Sequence, residues 1–423
     1  MKLLRCSRAW VLGCLGARVL ECVVLASVML ACVLLSARAA AAQILPEEPI
    51  SLAGGHVVVG GELTATVAPE DPGFFNYTSY EYSALRNLRL GVSTEIRATE
   101  RFQVLAEVRF DQGRVLEAYG LFLRVRPFPA KRFDIQAGRV PPTFGALSRT
   151  AYGNGNILIG QPLAYQYLLS VRPDALPATN DDLLRMRGRG WESSFPVGNT
   201  APGPGVPFVN TSEWDTGVQV HGVTGMVDWT GAVTTGSLSD PLLHDNNHGR
   251  QLAGRAVVRP VASTAIGVSV ARGDWLEGAL EDAVTGGADE RAHQSAVGGD
   301  VEYSAGPILV RAEVIRSAWD LPVFGTLHLT DPLVGISSLI EGRYKIAPGL
   351  YVAMRGDRLD FSQIRGETRG LADWEAVTWR VETGVGYSLK RNILLKGAWQ
   401  YNGREGGRVR RDGLFAAQVL YWF

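Results

Sequence analysis

The sequence predicts an all-β fold, a transmembrane antiparallel β-barrel of about sixteen strands preceded by a cleaved signal peptide. Three observations lead to this prediction. Short runs of residues alternate between apolar and polar with a period of two, which is the period of a β-strand. The connections between these runs are alternately short and long. The chain ends on an apolar run, Leu414 to Phe423, without a polar tail.

The first 42 residues have the three parts of a secretory signal peptide. A basic start is followed by the apolar run Cys22 to Leu35, and Ala40 to Ala42 form a small-residue cleavage site before Gln43. Glu21 and Arg38 confine the apolar run to fewer residues than a membrane-spanning helix needs, which argues against a permanent anchor. All four cysteines lie in this segment, so the mature chain would have no thiol, as suits an exported protein.

The remaining chain, residues 43–423, is predicted to form a single barrel. Sixteen period-two runs can be recognised, each bounded by turn residues. They lie near 56–67, 86–98, 102–111, 115–126, 133–139, 214–223, 226–236, 250–259, 264–272, 293–303, 308–317, 334–346, 350–359, 377–388, 393–401 and 414–423.

The lengths of the connections favour a membrane barrel over a sandwich or a propeller. Short connections alternate with long, polar ones, and only Gln112 to Arg114 is short where a long one is expected. Short turns on one rim and long loops on the other are typical of outer-membrane barrels with both termini in the periplasm. The final ten residues have the length of a tilted membrane-crossing strand and would close the barrel by pairing with the first strand.

The alternation also predicts which face of each strand meets water. From Leu88 to Ile96 the even positions are apolar except for Thr94, whereas the odd positions from Arg89 to Arg97 are charged or small. A barrel of about sixteen strands is too wide for side chains to fill and leaves an aqueous channel. The charged face is therefore predicted to line the lumen, and the apolar face to meet lipid. Aromatic residues near strand ends on the apolar face are expected to form an interfacial girdle: Tyr387, Trp399, Tyr401, Tyr421 and Phe423.

Two adjacent stretches resemble bacterial outer-membrane porins of the phosphate-selective porin O and P family. One runs from Glu117 to Val125, and the other, QAGRVPPTFG, runs from Gln136 to Gly145 with Thr143 where that family usually has proline. The resemblance implies a sixteen-stranded, commonly trimeric channel for small anionic solutes. In that family phosphate selectivity relies on pore lysines, whereas this chain has five lysines, of which Lys345 and Lys396 fall on the lumen face.

The segment 140–213 is the longest connection and follows the fifth predicted strand. In sixteen-stranded porins the loop at this place folds into the barrel, so the resemblance implies a pore constriction here. Arg185, Arg187 and Arg189 are candidate anion-binding residues, because planar guanidinium groups suit carboxylate or phosphate. The alternative is an extracellular loop that contacts lipopolysaccharide or a neighbouring subunit.

The strands supply further candidate pore-lining basic residues. On the lumen face eleven basic side chains outnumber seven acidic ones, which predicts a mild anion preference. Mutual neutralisation in ion pairs is the alternative. The candidate arginines are Arg89, Arg97, Arg109, Arg124, Arg126, Arg311, Arg343 and Arg355; Arg380, Lys345 and Lys396 complete the basic set. The acidic set is Glu95, Glu107, Asp111, Glu313, Glu341, Asp357 and Glu382.

Other classes of function have little support. Six scattered histidines and the loop residues Asp240, His244, Asp245 and His248 do not have the spacing of a catalytic or metal site. We therefore expect no enzyme, no cofactor and no metal. The mature chain carries a net charge of −4, which does not suggest a nucleic-acid partner. Expected partners are outer-membrane lipid and lipopolysaccharide, small hydrophilic or anionic solutes, and two further copies in a homotrimer. The second candidate function is a surface structural protein or adhesin that uses the barrel as an anchor.

Overall fold

The structure, a computed structural model, describes residues 45–78, 83–111, 117–128, 132–286, 291–327, 329 and 331–423. Residues Glu47–Phe423 form one compact unit. The predicted signal peptide lies outside the described residues, and so does the short connection that begins at Gln112.

Sixteen antiparallel strands of the described chain close into a barrel. Each strand pairs with its neighbours in sequence, and the first strand also pairs with the last, where Leu63 lies opposite both Leu90 and Tyr421. The predicted closure of the barrel is therefore confirmed. The strands are β1 Val57–Val67, β2 Asn87–Arg97, β3 Phe102–Asp111, β4 Glu117–Val125, β5 Phe133–Val140, β6 Asp215–Thr224, β7 Val227–Thr234, β8 Gln251–Val261, β9 Thr264–Asp274, β10 His293–Ala305, β11 Ile308–Trp319, β12 Leu333–Ala347, β13 Leu350–Phe361, β14 Thr378–Lys390, β15 Ile393–Arg404 and β16 Arg411–Trp422.

All sixteen predicted runs correspond to these strands, with differences of a few residues at the ends. The largest differences, of three residues, are at the end of β15, at Arg404 instead of Tyr401, and at the start of β16, at Arg411 instead of Leu414. Arg411 pairs with Gly403, and Asp412 pairs with Asn402. A backbone ladder needs no apolar side chains, so the strand extends beyond the region that hydrophobic alternation can detect.

The two rims differ as predicted. At one rim, the short-turn end, β6 and β7 are joined by Gly225 and Met226, and β10 and β11 by Gly306 and Pro307. Gly225 and Gly306 have φ angles of 60° and 56°, a left-handed conformation that glycine adopts without the steric cost of a side chain. The opposite rim, the long-loop end, carries the connections 68–86, 141–214, 235–250, 275–292, 320–332, 362–377 and 405–410.

The described chain also contains smaller elements in addition to the sixteen barrel strands. A three-residue strand, Ile50–Leu52, pairs with β1. Two small two-stranded sheets lie in the connections, Ala175–Leu176 with Val197–Gly198 and Gln363–Gly366 with Gly370–Asp373. The helices are α1 Leu163–Gln166, α2 Asn180–Met186 and α3 Gly278–Thr285, with 3-10 turns at Ala53–Gly55 and Ser148–Ala151. Among the described helices, none combines the length and apolar character that a membrane crossing requires.

The apolar face of the barrel points outward. Leu90 on β2 and Val419 on β16 are 43% and 49% exposed, and similar apolar side chains are exposed along most strands. Polar side chains of the opposite parity, such as Gln219 and Gln418, are buried inside. This arrangement reverses that of a soluble protein and gives the barrel an outer surface that matches lipid, as predicted.

Candidate functional site: a loop folded inside the barrel

The cross-strand register brings the predicted basic residues of the strands to the inward face. Arg89 lies opposite Asp111, and Arg355 lies opposite Glu341 and Glu382, all on one face of the sheet. Arg126 directly follows β4 with the same parity. The inward set within the strands is Arg89, Arg97, Arg109, Arg124, Arg311, Arg343, Lys345, Arg355, Arg380 and Lys396.

The connection 141–214, here called the lumen loop, enters the barrel and bonds to inward-facing side chains. The ammonium group of Lys396 on β15 donates to the carbonyl oxygens of Gly153, Asn156 and Leu158 at 2.7, 2.6 and 3.0 Å. An irregular backbone segment inside a barrel must find such partners, because unpaired buried carbonyl groups are costly.

A buried ionic cluster on β12, β13 and β14 binds the same segment of the lumen loop. Arg355 donates through Nη1 to the Gly160 carbonyl at 2.6 Å and through Nη2 to Glu341 at 2.7 Å. Glu382 accepts the Gly160 N–H at 2.8 Å. The three charged side chains are 0% exposed. Arg355, expected to line the pore, is therefore covered by the lumen loop, because its guanidinium group pairs with loop backbone and with buried carboxylates.

The loop continues along the same side of the barrel to β13 and β11. The Leu163 N–H at the start of α1 donates to Asp357 on β13 at 3.0 Å. Glu313 on β11 accepts from the Tyr165 hydroxyl at 2.8 Å and from the Ala146 N–H at 2.7 Å. The Tyr152 hydroxyl of the same loop donates to Glu107 on β3, eight strands away from β11, so the lumen loop crosses the interior.

Large apolar side chains fill the lumen near β9–β13 at the long-loop end. Trp319 at the end of β11 packs edge-on against Phe208 of the lumen loop and against Trp374, with ring centroids 5.4 and 5.9 Å away. Trp275 and Phe361 join the same buried cluster. The sequence prediction missed this packing, although Trp319 and Phe361 have inward parity and could have indicated it.

Polar cavities remain on the opposite side, between the lumen loop and β1–β3. A narrow cavity of about 60 Å³ lies toward the long-loop end, and one of about 220 Å³ lies toward the short-turn end. Arg89 lines both cavities. Its Nε donates to Asp111 Oδ1 at 2.6 Å, and its Nη1 donates to the Ala151 carbonyl at 2.6 Å. We call Arg89, Asp111 and the loop residues Ala151 to Asn154 the neck.

Arg109 stabilises the loop side of the neck. Its guanidinium carbon lies 3.4 Å from the ring centre of Tyr119 and 4.4 Å from that of Tyr152, so the cation is held between two aromatic faces. Glu107 accepts from Arg109 Nε at 2.8 Å and from the Tyr152 hydroxyl at 2.7 Å. This arrangement fixes Tyr152 and hence the adjacent neck residues.

A wider vestibule lies at the short-turn end. A cavity of about 790 Å³ is lined by Arg97, Arg124 and Arg126 together with Glu95 and Glu100. Glu95 accepts from Arg97 Nε at 2.9 Å, while Arg124 lies 3.9 Å from Asp134. Another cavity, of about 480 Å³, is lined by Arg343 and Lys345. Arg311 on β11 pairs with Glu302 and Glu341 at 2.8 and 3.1 Å.

The complete register changes the charge balance of the inner wall. Seven inward-facing acidic residues of the described strands were omitted from the sequence-based count, whereas two inward-facing basic residues were omitted. The added acidic residues are Glu62, Asp134, Asp215, Asp228, Asp300, Glu302 and Asp412; the added basic residues are Arg255 and Arg404. Acidic and basic side chains on the described inner wall are thus nearly balanced, and any excess of one sign is local.

The three arginines predicted in the lumen loop occupy a different region. Arg185 is in the last turn of α2, is 49% exposed and lies 3.7 Å from Asp182. The backbone of Arg187 lies close to Gly406, between β15 and β16 at the long-loop end, where an added Cβ on Gly406 would be 3.3 Å from the Arg187 carbonyl oxygen. Neither these two nor Arg189 is among the described residues that line the neck cavities.

Two buried carboxyl groups lie in the long-loop region. Glu375 accepts the Ser170 N–H at 2.7 Å and holds the lumen loop to the β13–β14 connection; burial raises the pKa of its carboxyl. Burial and, to a smaller extent, the nearby carboxylates Glu213 and Glu277 together raise the pKa of Asp240 to about 7.

The histidine-rich connection does not assemble a metal site. His248 lies 2.9 Å from Asp282 on α3, whereas Asp245 pairs with Arg250 at 2.6 Å. No group of three potential metal ligands occurs within the residues that the structure describes. On the inner wall, His221 lies 3.8 Å from Asp134 at the short-turn end.

Glu62 on β1 is a functional candidate that the sequence prediction missed. Its carboxylate accepts the N–H groups of Gly153 at 2.9 Å and Asn154 at 3.2 Å, and so holds the neck segment against β1. Glu62 shares parity with Gly60 and Thr64 in a strand whose alternate residues include Val59 and Leu63. That alternation was a sufficient signal for an inward carboxylate.

Comparison with solved structures identifies similar barrels. The anion-selective porin from Comamonas acidovorans matches with a TM-score of 0.54 and 8% identity over 87% of this chain and 99% of that one. OmpF of Salmonella typhi, in complex with daunomycin, matches with a TM-score of 0.53 and 12% identity over 87% of this chain and 97% of that one. No protein-family model and no curated protein sequence matches this chain. At these identities the similarity concerns the fold alone: the chain has the barrel fold of bacterial porins.

Proposed function

We propose that the protein is a bacterial outer-membrane porin, a water-filled channel through which small hydrophilic solutes diffuse passively, with a mild anion preference. The observation that carries the proposal is the lumen loop, which is anchored inside the barrel and leaves polar cavities beside β1–β3. An outward apolar surface supports placement in a membrane, where lipid would cover side chains such as Leu90 and Val419. No catalytic role is proposed.

The proposed anion preference rests on the vestibule. Arg97, Arg124 and Arg126 line one of its cavities, and Arg343 and Lys345 line another. Rings of charged side chains determine the ion preference of wide aqueous pores. These partly exposed cations therefore attract anions to the short-turn end, although the complete wall is nearly neutral.

A relationship to the phosphate-selective porin O and P family is also proposed. The stretch Gln136 to Gly145 forms the end of β5 and the start of the lumen loop. Gly138 and Gly145 have φ angles of 131° and 80°, and a Cβ at Gly145 would lie 2.0 Å from the Tyr165 hydroxyl. Both glycines are thus needed where the chain turns into the barrel. Phosphate itself is not proposed as the preferred solute.

Export and assembly complete the proposal. We propose that residues 1–42 are removed as a signal peptide and that residues 43–423 assemble in the outer membrane in contact with lipid and lipopolysaccharide. A homotrimer is the proposed assembly, by the family resemblance.

Liposome swelling tests the channel function. We expect liposomes that contain the purified protein to swell in small sugars and to swell more slowly as the sugar becomes larger, since the neck is narrow. Liposomes prepared identically without protein are the control. If protein that is shown to be folded and inserted admits no sugar of any size, the channel proposal fails.

A surface structural protein or adhesin is the second candidate. The packing of Trp275, Trp319, Trp374 and Phe208 inside the barrel favours it, because a lumen filled with side chains serves an anchor as well as a channel. The same swelling experiment separates the two functions, since an anchor gives no permeation.

A further inference from the structure

We propose that the neck selects uncharged, hydroxyl-rich solutes, and that the Arg89–Asp111 pair keeps the anion preference of the channel mild. This inference rests on the proposed channel function and names the solute class that the neck accepts. Three observations support the inference: the lining of the narrow cavity, the compensation of charge at Arg89, and a side-chain amide oxygen in the cavity, that of Gln418, which has no hydrogen-bond partner within the described residues.

The narrow cavity is lined mainly by neutral hydrogen-bonding groups. Among the described lining residues, Arg89 and Asp111 are the charged pair, and the rest are chiefly hydroxyl, amide and small side chains. The neutral polar residues are Thr64, Thr66, Thr78, Ser83, Asn87, Thr150, Asn156, Gln161, Ser212 and Gln418. Hydroxyl and amide groups both donate and accept, so they can replace the hydration of a sugar or polyol as it passes.

The charges at the neck are compensated. Arg89 bonds to the Asp111 carboxylate at 2.6 Å and to the Ala151 carbonyl at 2.6 Å, so much of its donor capacity is used. Glu62 is likewise occupied by two backbone N–H groups of the lumen loop. Arg109 is 5% exposed and is covered by two tyrosine rings. An ion in the neck therefore meets little net charge, whereas a neutral solute meets many hydrogen-bond partners.

Gln418 provides an independent indication of a solute. Its side chain is 7% exposed and lines the narrow cavity, and its Nε2 donates to Thr66 Oγ1 at 2.9 Å. Its Oε1 is buried without a hydrogen-bond partner within the described residues. An unpaired buried acceptor is costly unless water or a ligand supplies a donor. A solute hydroxyl in the cavity is a suitable donor.

Paired substitutions at the neck test the inference. In planar bilayers with unequal salt on the two sides, we expect Asp111→Asn to raise the anion-to-cation permeability ratio about threefold, the size expected for one unit charge a few ångströms from an ion in water. Arg89→Gln should lower the ratio by a similar factor and turn the preference toward cations. The double variant Arg89→Gln with Asp111→Asn should return to the wild-type ratio.

An ion pair on the outer face of the barrel provides the control. Arg358 and Asp360 bond at 2.7 Å on β13, with the parity opposite to that of the inward Arg355. Arg358→Gln and Asp360→Asn should each change the permeability ratio much less than the neck variants. Equal effects at the two pairs, or a shift of the two neck variants in the same direction, would overturn the inference.

Solute uptake provides the second measurement. Liposomes with wild-type protein should admit a small uncharged sugar faster than a carboxylate of similar size, and Asp111→Asn should reduce that difference. If the carboxylate enters faster in the wild-type protein, the neck inference is wrong although the channel proposal holds. If neither solute enters, the channel proposal itself fails.

Discussion

Lys396 shows how one side chain can position a whole loop. It lies at the inward face of β15, and its ammonium group donates to the carbonyls of Gly153, Asn156 and Leu158. A lysine presents three donors from one atom, which matches three carbonyls that converge from an irregular turn. Its parity is evident in the sequence, but its partners lie more than 230 residues away, so its anchoring role could not be predicted.

Replacing this lysine should loosen the lumen loop. Lys396→Met leaves three buried carbonyls without their donor, and we expect the free energy of unfolding to fall by about 3 kcal/mol. Single-channel recordings should show a larger and noisier conductance, because the segment beside the neck is no longer held. Lys390→Met, at the exposed short-turn end of β14 and outside the described lining of the vestibule, is the control and should leave both quantities nearly unchanged. Quiet, wild-type traces from Lys396→Met would contradict the anchoring role.

At the scale of elements, the barrel wall and its loops follow different rules. Strand pairs such as β1 with β2 are specified by alternation that can be read within ten residues. The lumen loop has no period, and its course depends on contacts such as Tyr165 with Glu313 and Ser170 with Glu375. The sequence therefore predicted the strands within a few residues, whereas the position of the loop arginines relative to the pore could not be derived.

The β7–β8 connection, residues 235–250, should be sensitive to pH through Asp240. An aspartate titrates near 3.9 when unfolded, and burial raises the pKa of Asp240 to about 7, so the folded loop favours the protonated form. The carboxyl group therefore contributes most to stability below about pH 4, and that contribution is lost as the pH rises to about 7. The surrounding carboxylates act in the same direction: Glu213, Glu277, Asp215 and Asp174.

Hydrogen exchange of the backbone amides of residues 236–240 and 242 measures this effect. After correction for intrinsic exchange, protection in the wild-type protein should be lower at pH 8 than at pH 5. Asp240→Asn should abolish most of this difference, because the amide has no charge to develop. Asp245→Asn, in the exposed part of the same connection, is the control and should behave like the wild type. Equal protection at the two pH values in the wild-type protein would argue against the predicted titration.

At the scale of the molecule, the apolar face of each strand points outward and the polar face surrounds the interior. This inversion is the basis for membrane placement and for every statement about transport. Because the strands present polar side chains to the interior, the packed apolar cluster forms at the long-loop end, where apolar residues of the lumen loop supply much of it.

A charge on the outer face tests the membrane orientation. Val419 lies on β16 with 49% of its surface exposed. Val419→Arg should lower the free energy of unfolding in lipid by about 2–4 kcal/mol if this position is near the bilayer midplane, because the arginine would face acyl chains. Val419→Leu should have little effect. Higher or unchanged stability of the arginine variant in lipid would contradict the orientation.

The sequence by itself determined the strand positions, the closure of the barrel, the outward apolar face and the inward parity of residues such as Arg89 and Arg355. Each of these follows from a local period of two residues or from the lengths of neighbouring connections. Only the tertiary structure decided that Arg355 is buried beneath the lumen loop while Arg89 lines the neck. Both have the same parity, and the difference depends on where a distant, aperiodic segment finds partners for its backbone polar groups.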